Sequence, residues 1–237
     1  MNRLAKPGLV LVPGLLCDAL LWQAQIEALG DDFKCWVADH TRSDTMAKVA
    51  ADVLRDAPFE SFALAGLSMG GYVALEIVRQ APGRVSHLAL LDTSARADTP
   101  EQLAKREGLI SLATRGRFIG VTHALLPLFI HPSRLGDEQL VTTVKEMSRN
   151  IGRDAFIRQE QAIMTRADSL PLLPAIACPT LVLCGRQDAV APLERHEEMS
   201  AAIPGATLAI IENCGHLSTL ERPAEVNKAL KHWLSAG

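Results

Sequence analysis

Long apolar runs are missing from this sequence. None approaches the roughly 18–20 residues of a membrane-crossing helix, so no span is expected. An excess of one charge is missing too: 24 Lys and Arg stand against 27 Asp and Glu, a net charge of −3 at pH 7. With no basic stripe and no polybasic arm, neither nucleic acid nor a membrane surface is an expected partner. A small, uncharged or mildly charged ligand fits better. The five cysteines (Cys17, Cys35, Cys178, Cys184, Cys214) are odd in number and contain no CxxC pair. That argues against a disulfide framework and for reduced thiols in a cytoplasmic protein. Clusters with metal-ligand spacing, internal repeats and low-complexity tracts are lacking as well, so the expected cofactors and metals are none. Arg3 and Lys6 precede GLVLVPGLL in the manner of a signal peptide. Pro13-Gly14 interrupts that run and no A-x-A site follows it, so it reads as a strand.

What is there suits one globular domain. Hydrophobic residues make up 48% and charged residues 22% of 237 positions, enough to bury one sizeable core. Six runs rich in Val, Leu and Ile read as strands covered on both faces: Gly8–Val12, Phe33–Ala38, Phe62–Ala65, Leu88–Leu91, Thr180–Leu183 and Thr207–Ile211. Between them, Ala19–Leu29, Thr45–Ala57, Met69–Gln80, Leu193–Ile203 and Ala224–Leu234 repeat apolar residues at helical spacing. This alternation predicts an α/β fold with a mostly parallel sheet of about six strands and helices on both faces. It breaks once. From Ala97 to Leu173 only helical segments appear, punctuated by Gly and Pro. The expected division is a core of residues 1–96 and 174–237 with a helical lid, 97–173, inserted into it. The lid is slightly basic and the core acidic.

The strand Phe62–Ala65 runs into Gly66-Leu67-Ser68-Met69-Gly70-Gly71, a G-x-S-x-G sequence in strand–turn–helix context. A turn this tight strains the serine backbone, and its neighbours two residues away must lack side chains. Ser68 is therefore the candidate nucleophile, near a helix N-terminus that favours negative charge. A hydroxyl needs a base, and the base needs a carboxylate to orient it. His216 follows a strand in the loop Glu212–His216, at the sheet edge where Ser68 emerges. His87, His196 and His232 read as solvated or structural. Two carboxylates reach the same edge, Asp188 and Asp92. The order Ser68, Asp188, His216 is the one expected of such a fold, whereas Asp92 suits bonds to nearby backbone donors. An oxyanion needs two backbone donors. Met69 supplies one, and the loop Pro13-Gly14-Leu15-Leu16 the other, assigned to Leu15 because Pro13 has no N–H.

The segments LVPGLLCDALLW, GLSMGG, GRQDAVAP and CGHLSTLERP together resemble the α/β-hydrolase superfamily. Within it they are most similar to small bacterial carboxylesterases of the pimeloyl-ester-hydrolase and succinyl-cyclohexadiene-carboxylate-synthase type. The resemblance covers about residues 8–95 and 170–235. It implies the α/β-hydrolase fold, a serine esterase and a Ser68–His216–Asp188 triad; Trp22 also matches, and reads as a core residue. Two departures stand out. Pro13-Gly14 replaces the family's His-Gly, and Asp39-His40-Thr41-Arg42-Ser43 replaces its Pro-Gly-x-Gly loop. Only seven residues precede Gly8, too few for the family's first hairpin. Six strands are therefore expected, with the first edge covered by the N-terminal residues or a partner.

The expected reaction is transfer of an acyl group from a small carboxylic ester to Ser68 and then to water, in a monomer or homodimer. A lyase or a C–C or enol-lactone hydrolase acting on a small keto or cyclic acid is the first alternative, and a non-catalytic sensor the second. Apolar lid residues exceed the needs of a surface layer, so Phe118, Leu125 and Phe129, with Leu16 and Leu217, are expected to line an acyl pocket. Arg115, Arg117, His123 and His131 are candidates to meet an acidic group on a short to medium acyl substrate.

Overall fold

The apolar runs form six parallel strands among the residues described by the computed structural model, which are 6–235. Strands β1 (Gly8–Val12), β2 (Lys34–Val37), β3 (Phe62–Leu67), β4 (Val85–Leu91), β5 (Thr180–Gly185) and β6 (Thr207–Ile211) lie in the order β2-β1-β3-β4-β5-β6. The chain steps outward from β1 to β2 and then returns to place β3 on the other flank of β1. The loops after β1 and β3 thus become neighbours at a switch point of the sheet, where ligand sites form in such folds. Strand β4 begins earlier than its apolar run, so His87 lies inside it, its ring edge-on to Trp233 at 5.9 Å. The N-terminal residues invoked as cover for the sheet edge, 1–5 with Arg3, lie outside the described residues.

Alternate strand residues feed two cores. Val10, Val12, Leu64, Leu88, Leu90 and Val182 pack on one face with α2 (Met46–Asp56), α3 (Met69–Gln80) and α7 (Leu193–Ala202). Leu9, Leu11, Ala65, Leu91 and Leu183 pack on the other with α1 (Gln23–Leu29), the short α8 (Ser218–Glu221) and α9 (Pro223–Leu234). Both faces of the sheet are covered, which is why its strands read as continuous apolar runs. Thr45 caps α2 by accepting from the Lys48 amide, and Pro223 opens α9, where a missing N–H costs nothing.

Between β4 and β5 no strand occurs among the described residues. The chain forms α4 (Pro100–Leu112), a π-turn over Ala113–Arg117, the short α5 (Leu126–Phe129) and the long α6 (Glu138–Met164), broken at Gly152. Thr99 and Gln102 close a reciprocal capping box on α4. Arg106 of α4 joins Asp98 and Glu160 at 2.7 Å each, and Arg166 joins Asp98 at 2.8 Å. Two cations and two carboxylates thus hold the ends of α4 and α6 together. No helix among the described residues is long and apolar enough to cross a membrane.

The turn from β3 into α3 tolerates no bulk. A Cβ on Gly70 would lie 2.0 Å from the Val12 carbonyl oxygen, and one on Gly66 would lie 2.1 Å from the Gly70 oxygen. Gly70→Ala is expected to cost about 3 kcal/mol or more, because the obstacle is backbone and cannot swing away. Urea unfolding of the variant beside the parent chain measures this, and a shift under about 0.5 kcal/mol would refute the packing argument.

Candidate active site

Ser68 occupies the sharp turn between β3 and α3 at φ 55°, ψ −115°, a backbone region that a side chain ordinarily avoids. Its N–H donates to Leu91 O at 2.9 Å, and its carbonyl accepts from Thr93 Oγ1 at 2.8 Å. The strain is therefore held by the neighbouring strand. Other non-glycine residues with positive φ stand nearby: Leu16 in the loop after β1, Asp92 at the end of β4 and Asn213 in the loop after β6. Strain gathers at the C-terminal edge of the sheet, as it does at functional sites generally.

Three elements bring the triad candidates together. Ser68 Oγ lies 2.8 Å from His216 Nε2, and His216 Nδ1 lies 2.8 Å from Asp188 Oδ2. The other Asp188 oxygen accepts from the Val190 and Ala191 amides at 2.8 and 2.9 Å. Asp188 therefore cannot turn away from the imidazole without losing both. Burial alone would lower the His216 pKa. The charge and hydrogen bond of Asp188, with Asp92 and Glu221 beyond, outweigh it and leave the imidazole raised above its ordinary 6.5. A hydroxyl bonded to such an imidazole can pass its proton to nitrogen as the oxygen attacks.

Asp92 lies beneath this line. It accepts from the Gly185 amide at 3.0 Å and from Ser218 Oγ at 2.5 Å, tying the end of β5 to the loop after His216. Burial, then the charge of Asp188, pushes its carboxyl well above the usual carboxylate range. His196 is also buried; its Nε2 accepts the Thr93 amide, and burial lowers its pKa to about 4. The histidine loop is braced from the inserted segment as well. Phe129 O accepts both the His216 and Leu217 amides, at 3.0 and 3.1 Å, and Glu221 accepts the Gly215 and His131 amides.

A cavity of about 100 Å³ opens onto Ser68 and His216. Leu15, Leu16, Phe129 and Leu217 line it, and so does Gly14, whose place for a Cβ is 3.4 Å from Ser68 Cβ. The Leu15 and Met69 amides have no partner within the protein among the described residues, so both can donate to something else. Two expected pocket residues are not there. Phe118 packs on Phe156 with ring centroids 5.2 Å apart, and Leu125 is 40% exposed. Val121 lines the cavity instead, and its N–H bonds Ser148 Oγ on α6. Nor do the four basic candidates line the cavity. Arg115, Arg117 and His123 are exposed, and His131 Nδ1 caps a turn by accepting the Ser133 amide.

Sequence reasoning missed Tyr72, Arg106, Val121, Val144, Met147, Ile163 and Val190, which also line the cavity. Tyr72 was within reach: four residues after Ser68 on α3, it shares that residue's helix face. Arg106 is the cation at the cavity wall, already engaged by Asp98 and Glu160. Among the described residues no group of His, Cys, Asp and Glu is arranged to hold a metal ion.

Comparison with known proteins agrees with this geometry. A thermophilic esterase from Thermogutta terrifontis superposes with a TM-score of 0.87 at 31% identity, over 96% of this chain and 89% of that one. The pimeloyl-[acyl-carrier protein] methyl ester esterase of Nitrosomonas europaea is 26% identical over 92% of each chain. A Serratia proteamaculans protein provisionally named carbamate hydrolase RutD is 28% identical over 96% of this chain and 91% of its own. The family described as the alpha/beta hydrolase fold matches residues 7–223, and this chain belongs to it.

Proposed function

We propose that the protein is a serine hydrolase that cleaves a small carboxylic ester through an acyl-enzyme on Ser68. The observation that carries this reading is the unbroken line Ser68–His216–Asp188, with both contacts at 2.8 Å. His216 takes the Ser68 proton as Oγ attacks the ester carbonyl, and Asp188 holds the imidazole in the tautomer that can accept it. The Leu15 and Met69 amides receive the negative charge on the carbonyl oxygen. When the C–O bond breaks, His216 returns its proton to the leaving alkoxide. Water then enters and gives a proton to His216, and its oxygen attacks the acyl carbon. Collapse of that second intermediate releases the acid and restores the Ser68 hydroxyl. Relatives named as esterases support the ester as substrate.

The substrate is small and its acyl part uncharged. The cavity, at about 100 Å³, is well below the roughly 300–1,000 Å³ of sites for drug-sized ligands. Its wall is mainly aliphatic, and its one lining arginine is neutralised. A sensor would not need Ser68 held at φ 55° against His216. The lyase and the C–C or enol-lactone hydrolase alternatives keep the same triad. An acyl adduct on Ser68 formed from a simple ester would favour the ester reading over them, and the fluorophosphonate labelling below separates it from a sensor.

Three outcomes are expected. A fluorophosphonate should label Ser68, and p-nitrophenyl esters of two to about six acyl carbons should outpace longer ones. Ser68→Ala should abolish labelling and lower kcat by several orders of magnitude; half the parent activity in that variant would end the hypothesis.

Second, the base must be neutral, so kcat/KM should fall as pH drops through the His216 pKa. Since that pKa is raised, the acid limb should have its midpoint above 6.5. A pH–rate profile with its midpoint below 6.5 would contradict the electrostatics.

Third, Asp188→Asn should lower kcat by about 10⁴-fold, by analogy with the corresponding serine-protease change. It should also shift the acid limb downward, because burial of the imidazole is then less opposed. Asp92→Asn should cost far less. Kinetics of the two variants side by side decide this, and the reverse ranking would move the orienting role to Asp92.

A further inference from the structure

We propose that His40 and Gln159 are positioning residues that aim the Leu15 amide at the reacting carbonyl; this rests on the oxyanion role given to Leu15 above. The Leu15 N–H belongs to the same peptide unit as the Gly14 C=O. No peptide bond among the described residues is cis, so the two groups point in opposite directions. Whatever holds the Gly14 oxygen therefore sets where the Leu15 hydrogen points.

Two groups hold it. The Cys17 amide donates to Gly14 O at 3.1 Å, and His40 Nε2 lies 3.0 Å from the same oxygen. The peptide after Leu15 is gripped as well: the Leu16 amide donates to Gln159 Oε1 at 3.2 Å, and Gln159 Nε2 lies 2.9 Å from His40 Nε2. Leu16 sits at φ 60°, a conformation that leucine resists and that needs such a restraint. His40 is 2% exposed and Gln159 0%, so water does not compete for these bonds. Burial lowers the His40 pKa against the opposing pull of Gly14 and Asp39, and the ring works as a neutral group. Its Nε2 can donate to Gly14 O or accept from Gln159 but not both. In the donating tautomer His40 orients Leu15, and Gln159 acts through its bond to the Leu16 amide alone.

The imidazole reaches the oxyanion loop from the loop after β2, the strand next to β1, and Gln159 reaches it from α6.

The test reads the rate of Ser68 phosphonylation by a fluorophosphonate, which uses the same oxyanion donors whatever the natural substrate. His40→Leu fills the space without a donor. It should lower kinact about ten- to hundred-fold, and kcat on p-nitrophenyl acetate likewise, with KI and KM within about twofold. His40→Gln offers an amide donor at similar reach and should recover most of the loss. Gln159→Met should show the same loss confined to the rate constants. The double variant should lose little more than the worse single one, because both act through one loop.

His40→Leu at the parent rate, a loss confined to KI and KM, or His40→Gln no faster than His40→Leu would each overturn the proposal. If His40→Leu does not fold, Gln159→Met decides: the parent kinact in that variant overturns it. The underlying reading fails separately. Absence of Ser68 labelling in the unaltered protein removes the hydrolase itself, whereas intact labelling that His40→Leu leaves unchanged removes only the positioning role.

Discussion

Everything at the catalytic edge is referred to one constraint, the close contact of the β3–α3 turn with the end of β1. Gly70 lies so near the Val12 and Pro13 carbonyls that only hydrogen fits between them. That contact seats the N-terminus of α3 over the sheet and brings the loop after β1 against Ser68. Both proposed oxyanion donors thus come from the two sides of one interface. A serine at φ 55° costs about 1–3 kcal/mol in isolation. Here the Leu91 carbonyl and the Thr93 hydroxyl hold its backbone, so the cost is met at the end of β4, where Leu88, Ala89, Leu90 and Leu91 are all buried.

Much of the core was legible because buried parallel strands and amphipathic helices leave strong periodic signals. The runs at Gly8–Val12 and Thr207–Ile211 coincide with β1 and β6, and Met69–Gln80 coincides with α3. The places of Ser68, Asp188 and His216 were legible for a different reason. Each lies in the turn or loop after a strand, and the parallel sheet delivers those loops to one edge. Leu16, Phe129 and Leu217 line the cavity as the sequence suggested.

The cavity wall was legible only in part. Helical periodicity in residues 97–173 says which side chains are buried but not against what. Phe118 and Val121 differ by three positions and are both apolar, yet one packs on Phe156 and the other faces the cavity. Their partners on α6, Phe156 for one and Ser148 for the other, lie about thirty positions away, and no local pattern announces them. His40 and Gln159 were hidden for the same reason, since 119 positions separate two side chains that meet at one ring nitrogen. No sequence pattern singled out Arg106. Its partners Asp98 and Glu160, each 1% exposed, make it part of a buried four-charge cluster, where removal of one member leaves another uncompensated.

The two amides that Phe129 O accepts also constrain how the enclosure can open. They belong to His216 and to the residue after it, so α5 and the proposed base are fastened by the same oxygen. Peeling α5 outward would release the backbone that carries the imidazole. Movement of α5 and the position of the imidazole are thereby tied to one carbonyl oxygen, so a route into the cavity that leaves His216 in place runs past other parts of its wall.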